Sequence, residues 1–147
     1  MSFALDLSKL TQSVIDKNNL LVKQIIFELS TSLVLKSPVG DAKFWKSPAP
    51  VGYVGGRFRA NWQYGLDAPN PATTEDIDPS GAATIAAIVG KVGDEPAGHI
   101  HYLTNSLPYA LRIEDGWSYR QAPQGVVGIT ILEFEPMVEA VARELNK

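Results

Sequence analysis

The 147-residue chain contains no cysteine, which excludes disulfides and thiolate-held metals and leaves no cysteine usage from which to read a redox compartment. No apolar run approaches the roughly 20 residues that span a bilayer. The opening Met-Ser-Phe-Ala-Leu-Asp-Leu-Ser-Lys has no basic region ahead of an apolar core, so the expectation is a protein made and kept in the cytosol, without membrane contact. An excess of positive charge is missing too: 13 Lys plus Arg stand against 16 Asp plus Glu, a net charge of −3 and a pI near 5.3. That balance argues against gripping nucleic acid through the whole surface. Internal repeats and low-complexity tails are absent as well.

What is present is an ordinary folding composition, 45% hydrophobic and 20% charged, in a length that suits one domain, 1–147, with a core of its own. A long helix is predicted from about Asp6 to Lys36, with Asp6 or Ser8 as its cap and Pro38 disfavouring helical geometry at Ser37. Leu10, Val14, Leu21, Ile25, Leu29 and Leu33 recur at mostly three- or four-residue intervals and predict its buried face. Asp16-Lys17-Asn18-Asn19 interrupts the pattern and marks an expected irregularity. Such a helix of about 30 residues is about 45 Å long, more than a small domain needs to cover a sheet. Part of it is therefore expected to pack on a neighbouring subunit.

Residues 38–57 hold three prolines and four glycines, a density that excludes a regular helix. Phe44, Trp45 and Tyr53 lie in this loop, where exposed aromatics suit a contact surface ordered by a partner. Arg59 to Asp67 reads as a strand with Trp62, Tyr64 and Leu66 on one face. Ala68 to Gly81 reads as an exposed acidic loop, Ala82 to Lys91 as a short helix that Ser80 caps, and Gly98 to Asn105 as a second strand. In the last helix, starting near Gly125 or Val126, Val127, Ile131, Phe134, Val138, Val141 and Leu145 form a seam that predicts burial. Pro136 predicts a kink near Leu132 to Glu135. The class is α+β: an antiparallel sheet packed by a long N-terminal helix and a C-terminal helix, with long loops.

The chain is organised around Leu107 to Val127. Pro108 suits the first position of a short helical turn, Tyr109, Ala110 and Ile113 face the core, Arg112 and Glu114 face out, and Gly116 supplies the left-handed terminator. Trp117, Tyr119 and Arg120 follow in the loop, where such residues commonly form a contact surface.

Motifs for chemistry are weak. His99 and His101 stand two apart on a predicted strand and share a face, but no third or fourth ligand accompanies them, so no metal site is expected. Glu114 and Asp115 are adjacent and point in different directions, unlike a working acid–base pair; Glu114 is expected to pair with an arginine, within or between subunits, and Asp115 to face water. Gly52, Gly55 and Gly56 before Arg57 and Arg59 lack the spacing of nucleotide-binding loops. The two arginines share a predicted strand face and suit ion pairs between subunits. No nucleophile elbow occurs. No enzyme and no cofactor are expected.

Three blocks of sequence carry a resemblance: Pro-Tyr-Ala-Leu-Arg-Ile-Glu-Asp-Gly-Trp-Ser with Gln-Ala-Pro-Gln-Gly-Val-Val; Pro38-Val39-Gly40-Asp41 with Gly56-Arg57-Phe58-Arg59-Ala60-Asn61-Trp62; and Tyr102 to Leu107. In order and spacing the chain resembles the tail-completion, or neck, proteins of long-tailed double-stranded DNA bacteriophages, often described as minor tail components. Ala42 to Val54 looks like an insertion to which nothing of the family carries over. The resemblance implies a structural virion protein, assembled from host cytoplasm. It would form a homo-oligomeric ring, a hexamer, at the head-proximal end of the tail, completing the tail and joining it to the head connector. Its implied partners are further copies of itself, the tail tube or tail terminator protein, and the connector's stopper or adaptor; genome DNA passes through without specific binding. The interface candidates are Phe44, Trp45, Tyr53, Arg57, Arg59, Glu114, Trp117, Tyr119 and Arg120. The runner-up is a tail terminator that caps the tube, and a more distant alternative is a metal-dependent nuclease using His99 and His101.

Overall fold

The computed structural model describes residues 2–147. Helix α1 runs over Phe3–Lys36, about 50 Å at 1.5 Å per residue. It begins earlier than expected because the Ser2 hydroxyl accepts the Leu5 amide at 3.3 Å, displacing Asp6 and Ser8 as caps. It ends where Pro38 requires, with Ser37 extended and its amide donating to the Val34 carbonyl at 3.2 Å.

The Asp16 to Asn19 segment does not interrupt this helix. Asn19 is buried, and its side-chain oxygen accepts the Ala97 amide at 3.0 Å. The buried stripe is Asn19, Ile26, Ser30, Leu33 and Val34, rotated from the predicted face. Leu10 and Val14 are exposed, and Leu21, Ile25 and Leu29 are half-buried. The rotation has a physical cause: Ser30 closes its hydroxyl on the Ile26 carbonyl at 2.6 Å, so a small polar residue enters the core already satisfied. Hydrophobic spacing does not register it. Every described residue before Asn19 is exposed.

A single helical turn, α2 (Arg57–Ala60), leads into β1 (Trp62–Leu66). The expected strand is therefore shorter, and Arg57 and Arg59 do not share a strand face. Asn61 forces the change, accepting the Thr74 amide at 2.8 Å while its amide group donates to the Arg57 and Thr74 carbonyls. Trp62 and Tyr64 are buried as the alternation predicts; Leu66 emerges at the strand end.

Helix α3 (Ala82–Lys91) has the predicted bounds. Its leading cap is Asp78, whose carboxylate accepts the Thr84 amide and hydroxyl, each at 2.8 Å, and the Gly81 amide at 3.1 Å. Ser80 contributes only a 3.3 Å bond from the Ala82 amide. Strand β2 (His101–Asn105) then pairs antiparallel with β1, Trp62 opposite Asn105 and Leu66 opposite His101.

The remaining helices are α4 (Ala110–Glu114), α5 (Val127–Leu132) and α6 (Phe134–Leu145). The final helix breaks at Glu133, inside the predicted kink interval. The break leaves Pro136 in the first turn of α6, where a missing backbone donor costs little. α6 lies along α1, tied by Lys36 to Glu133, while Ser32 and Thr130 in α5 meet at 3.0 Å. The predicted seam is only partly covered: Val141 is buried, Val138 and Leu145 are half-buried, and Val127, Ile131 and Phe134 are exposed.

The fold is thus α+β, a long N-terminal helix with a two-stranded antiparallel sheet. Its core joins Ile26, Leu33 and Val34 of α1 to Phe58, Trp62, Tyr64, Ile88, Leu107, Ile113 and Val126. The Trp62 indole donates to the Ser37 hydroxyl at 2.8 Å, fixing the sheet at the end of α1. No helix among the described residues is long and apolar enough to cross a membrane.

Candidate functional site

Leu107 is buried, and the turn that follows is anchored through it. Pro108 stands one residue before the cap position of α4, which Tyr109 occupies, rather than at the first helical position. Ile113 is buried while Tyr109 and Ala110 pack on the core, as predicted. Gly116 ends the turn at φ +86°, and a Cβ there would press on the Pro123 carbonyl.

Glu114 does not face out, and no arginine of its own chain pairs with it among the described residues. Its carboxylate accepts the amides of Val126 at 2.9 Å, Val127 at 2.8 Å and Gly128 at 2.8 Å. These lie at the start of α5, where backbone donors have no helical partner and a negative charge is favoured. Partial burial works against the Glu114 charge, but the amides of Gly128, Val126 and Val127 outweigh it and hold the carboxyl below the usual glutamate range. Gly125 permits the approach: its φ is +80°, and a Cβ would strike the Glu114 carbonyl and carboxylate.

This anchored frame presents an exposed surface. Trp117 and Tyr119 are each 69% exposed. The Arg112 guanidinium lies 4.9 Å from the Trp117 ring centre. Arg120 lies 4.3 Å from the Phe44 ring and 5.2 Å from that of Tyr119. Phe44 arrives from the insertion: Asp41 accepts the Lys43 amide at 3.0 Å and starts a 3-10 turn over Ala42–Phe44. Trp45 packs on Tyr53 with ring centres 4.7 Å apart. Gln121 holds the two segments together, accepting the Val39 amide at 2.8 Å and donating to its carbonyl at 2.7 Å.

Six of the nine candidate residues, Phe44, Trp45, Tyr53, Trp117, Tyr119 and Arg120, therefore lie on these two joined segments. Two of them, Trp45 and Tyr53, line a cavity of about 500 Å³ together with Pro38, Phe58, Tyr109 and others.

Arg57, Arg59 and Glu114 do other work. Arg57 donates to the Thr74 carbonyl at 3.2 Å and pairs with Glu75 at 2.8 Å. Arg59 donates to the carbonyls of Leu35 at 2.9 Å, Ser37 at 2.9 Å and Pro79 at 2.7 Å. It satisfies acceptors at the end of α1 that helix geometry leaves open. All three make their bonds within the chain: a loop-borne Arg or Glu reads the same from sequence whether its partner is internal or external.

His99 and His101 do not share a strand face either, because β2 begins at His101. His99 Nδ1 lies 2.9 Å from Asp67, whose carboxyl is lowered first by the Ile100 amide and then by His99. His101 instead meets the Tyr64 hydroxyl and the Pro96 carbonyl, both at 2.8 Å. The imidazoles thus have separate partners, and the described residues contain no group of three or more potential metal ligands.

Within the single chain, the first half of α1 does not carry the buried face expected for Leu10 and Val14. Phe3, Leu7, Leu10 and Val14 form a row open to solvent, with Phe3 80% and Leu10 63% exposed. Their spacing of 4, 3 and 4 was the available signal. No family model, curated protein or solved structure matches the chain.

Proposed function

We propose that this protein is a structural virion component that forms a ring at the head-proximal end of a long-tailed phage tail, completing the tail and joining it to the head connector. The observation that carries this reading is the joined surface of the insertion and the 114–121 loop. There, exposed Trp117, Tyr119, Phe44 and Trp45 stand beside Arg112 and Arg120. Neither arginine forms an ion pair with a carboxylate among the described residues. Aromatic and arginine side chains dominate binding energy at protein interfaces, and they do so once desolvated by a partner.

In this reading the surface meets a neighbouring copy in the ring or the adjoining tail or connector protein. The net charge of −3 suits a channel through which DNA slides, since phosphate attraction would retard it. Catalysis has no part in the role.

The test is a micrograph of particles assembled without this protein. Full heads beside separate tails of normal length are the expected result. Tails of uncontrolled length would assign it instead as a tail terminator, and normal infectious particles would remove it from the neck altogether.

A further inference from the structure

The apolar row on the first half of α1 is complementary to its own reverse. Phe3, Leu7, Leu10 and Val14 are spaced 4, 3 and 4, an order that reads the same in both directions and follows the seam of a coiled coil. Reversing a second copy of this helix about a two-fold axis between Ser8 and Lys9 sets Phe3 opposite Val14 and Leu7 opposite Leu10. A large side chain then meets a small one at each end, with leucines at the centre. We infer that this face of α1 pairs antiparallel with the same face of a second copy, giving a two-fold dimer. This inference rests on α1 alone and not on the virion role.

Two observations favour the antiparallel register. Flanking the seam are Asp6 and Ser13 on one side and Ala4 and Thr11 on the other, so reversal brings no like charges together. A parallel pair would instead set Lys17 against Lys17 in the next layer, and like-charge juxtaposition disfavours a register. The antiparallel pair also seats the two folded cores, each starting at Asn19, at opposite ends. The contact runs from Phe3 to Val14, about 17 Å of helix. That length places it in the small-interface class, below about 1,200 Å² in total, where association is weak and reversible. Such a dimer shields the apolar row of the protein.

The absence of native cysteine makes the test clean. Purified full-length protein is examined by sedimentation equilibrium from low to high micromolar concentration. A reversible dimer is expected, with an association constant reduced at least tenfold in Leu10→Glu. That variant should keep its circular dichroism, because Leu10 is 63% exposed and lies outside the buried core.

Register is read by oxidation: Phe3→Cys mixed with Val14→Cys is expected to give a disulfide dimer, and Phe3→Cys alone is not. In the antiparallel pair its two copies stand about 17 Å apart, beyond the roughly 7 Å limit for a disulfide. A monomer at all concentrations, an oligomer indifferent to Leu10→Glu, or efficient cross-linking of Phe3→Cys alone overturns the inference. A ring in which Phe3→Cys and Val14→Cys fail to cross-link would overturn the two-fold pairing while leaving the virion role standing.

Discussion

The two halves of α1 carry similar apolar spacings and meet opposite fates. Ile26, Leu33 and Val34 are buried against the sheet and α3, whereas Phe3, Leu7, Leu10 and Val14 stand in solvent. The difference lies outside the helix, in what the rest of the chain supplies: Trp62 bonds to Ser37 and Ala97 bonds to Asn19, while every described residue before Asn19 is exposed. Amphipathic periodicity thus specifies that a face will be covered, without specifying by which molecule.

Substitutions should separate the halves by size of effect. Leu33→Ala should cost about 2 to 5 kcal/mol in urea unfolding, as deletion of buried methylenes does. A loss below about 1 kcal/mol would mean that the second half of α1 is as loosely held as the first.

Next in size is Glu114→Gln, which keeps the shape and removes the charge that three amides share. It should cost about 1 to 3 kcal/mol at neutral pH. The sign with pH follows from the lowered carboxyl. Its contribution is fully present above the unfolded glutamate value of about 4.3 and is lost as pH falls through the lower folded value. Wild type should therefore lose stability over that acid interval, while Glu114→Gln shows a shallower dependence. Parallel acid titrations followed by tryptophan fluorescence would check this.

Phe134→Ala should cost only about 1 kcal/mol, since Phe134 is 44% exposed and truncation scales with the burial lost. A thermal melt showing several times that loss would place the ring inside a contact between copies.

Smallest in the isolated subunit are Leu10→Ala and Trp117→Ala, each within about 0.5 kcal/mol of wild type. For Trp117→Ala the effect should appear in assembly, as about 2 kcal/mol or more of lost binding when co-sedimentation with tails is titrated. Unfolding of this variant would transfer Trp117 to the core and withdraw support from the loop surface.

What could be read from sequence was local. Proline at 38 ended α1, proline at 136 marked the break at Glu133, and Gly116 closed the turn after α4, because each acts on its own backbone or the adjacent turn. The helix over Ala82–Lys91 was legible in the same way. What escaped were residues whose partners are distant in sequence. Glu114 reaches Gly128, Arg59 reaches Pro79, and Asn61 reaches Thr74. Single-chain spacing does not encode such pairs. The same limit explains the candidate site: the aromatic positions were identified by type, but their meeting depends on Gln121 clamping Val39 across the chain.

The guanidinium of Arg59 gives α1 a mechanical character. Three carbonyls, from Leu35, Ser37 and Pro79, converge on one rigid planar fork, so the helix is a cantilever built in at its C-terminal end and free over its first half. A push on the free end acts through an arm several turns long, and part of the load passes to the joint that ties α1 to the segment before α3. Lysine at 59 would keep the charge while giving up the fork, and the beam would lose the stiffness of its mounting.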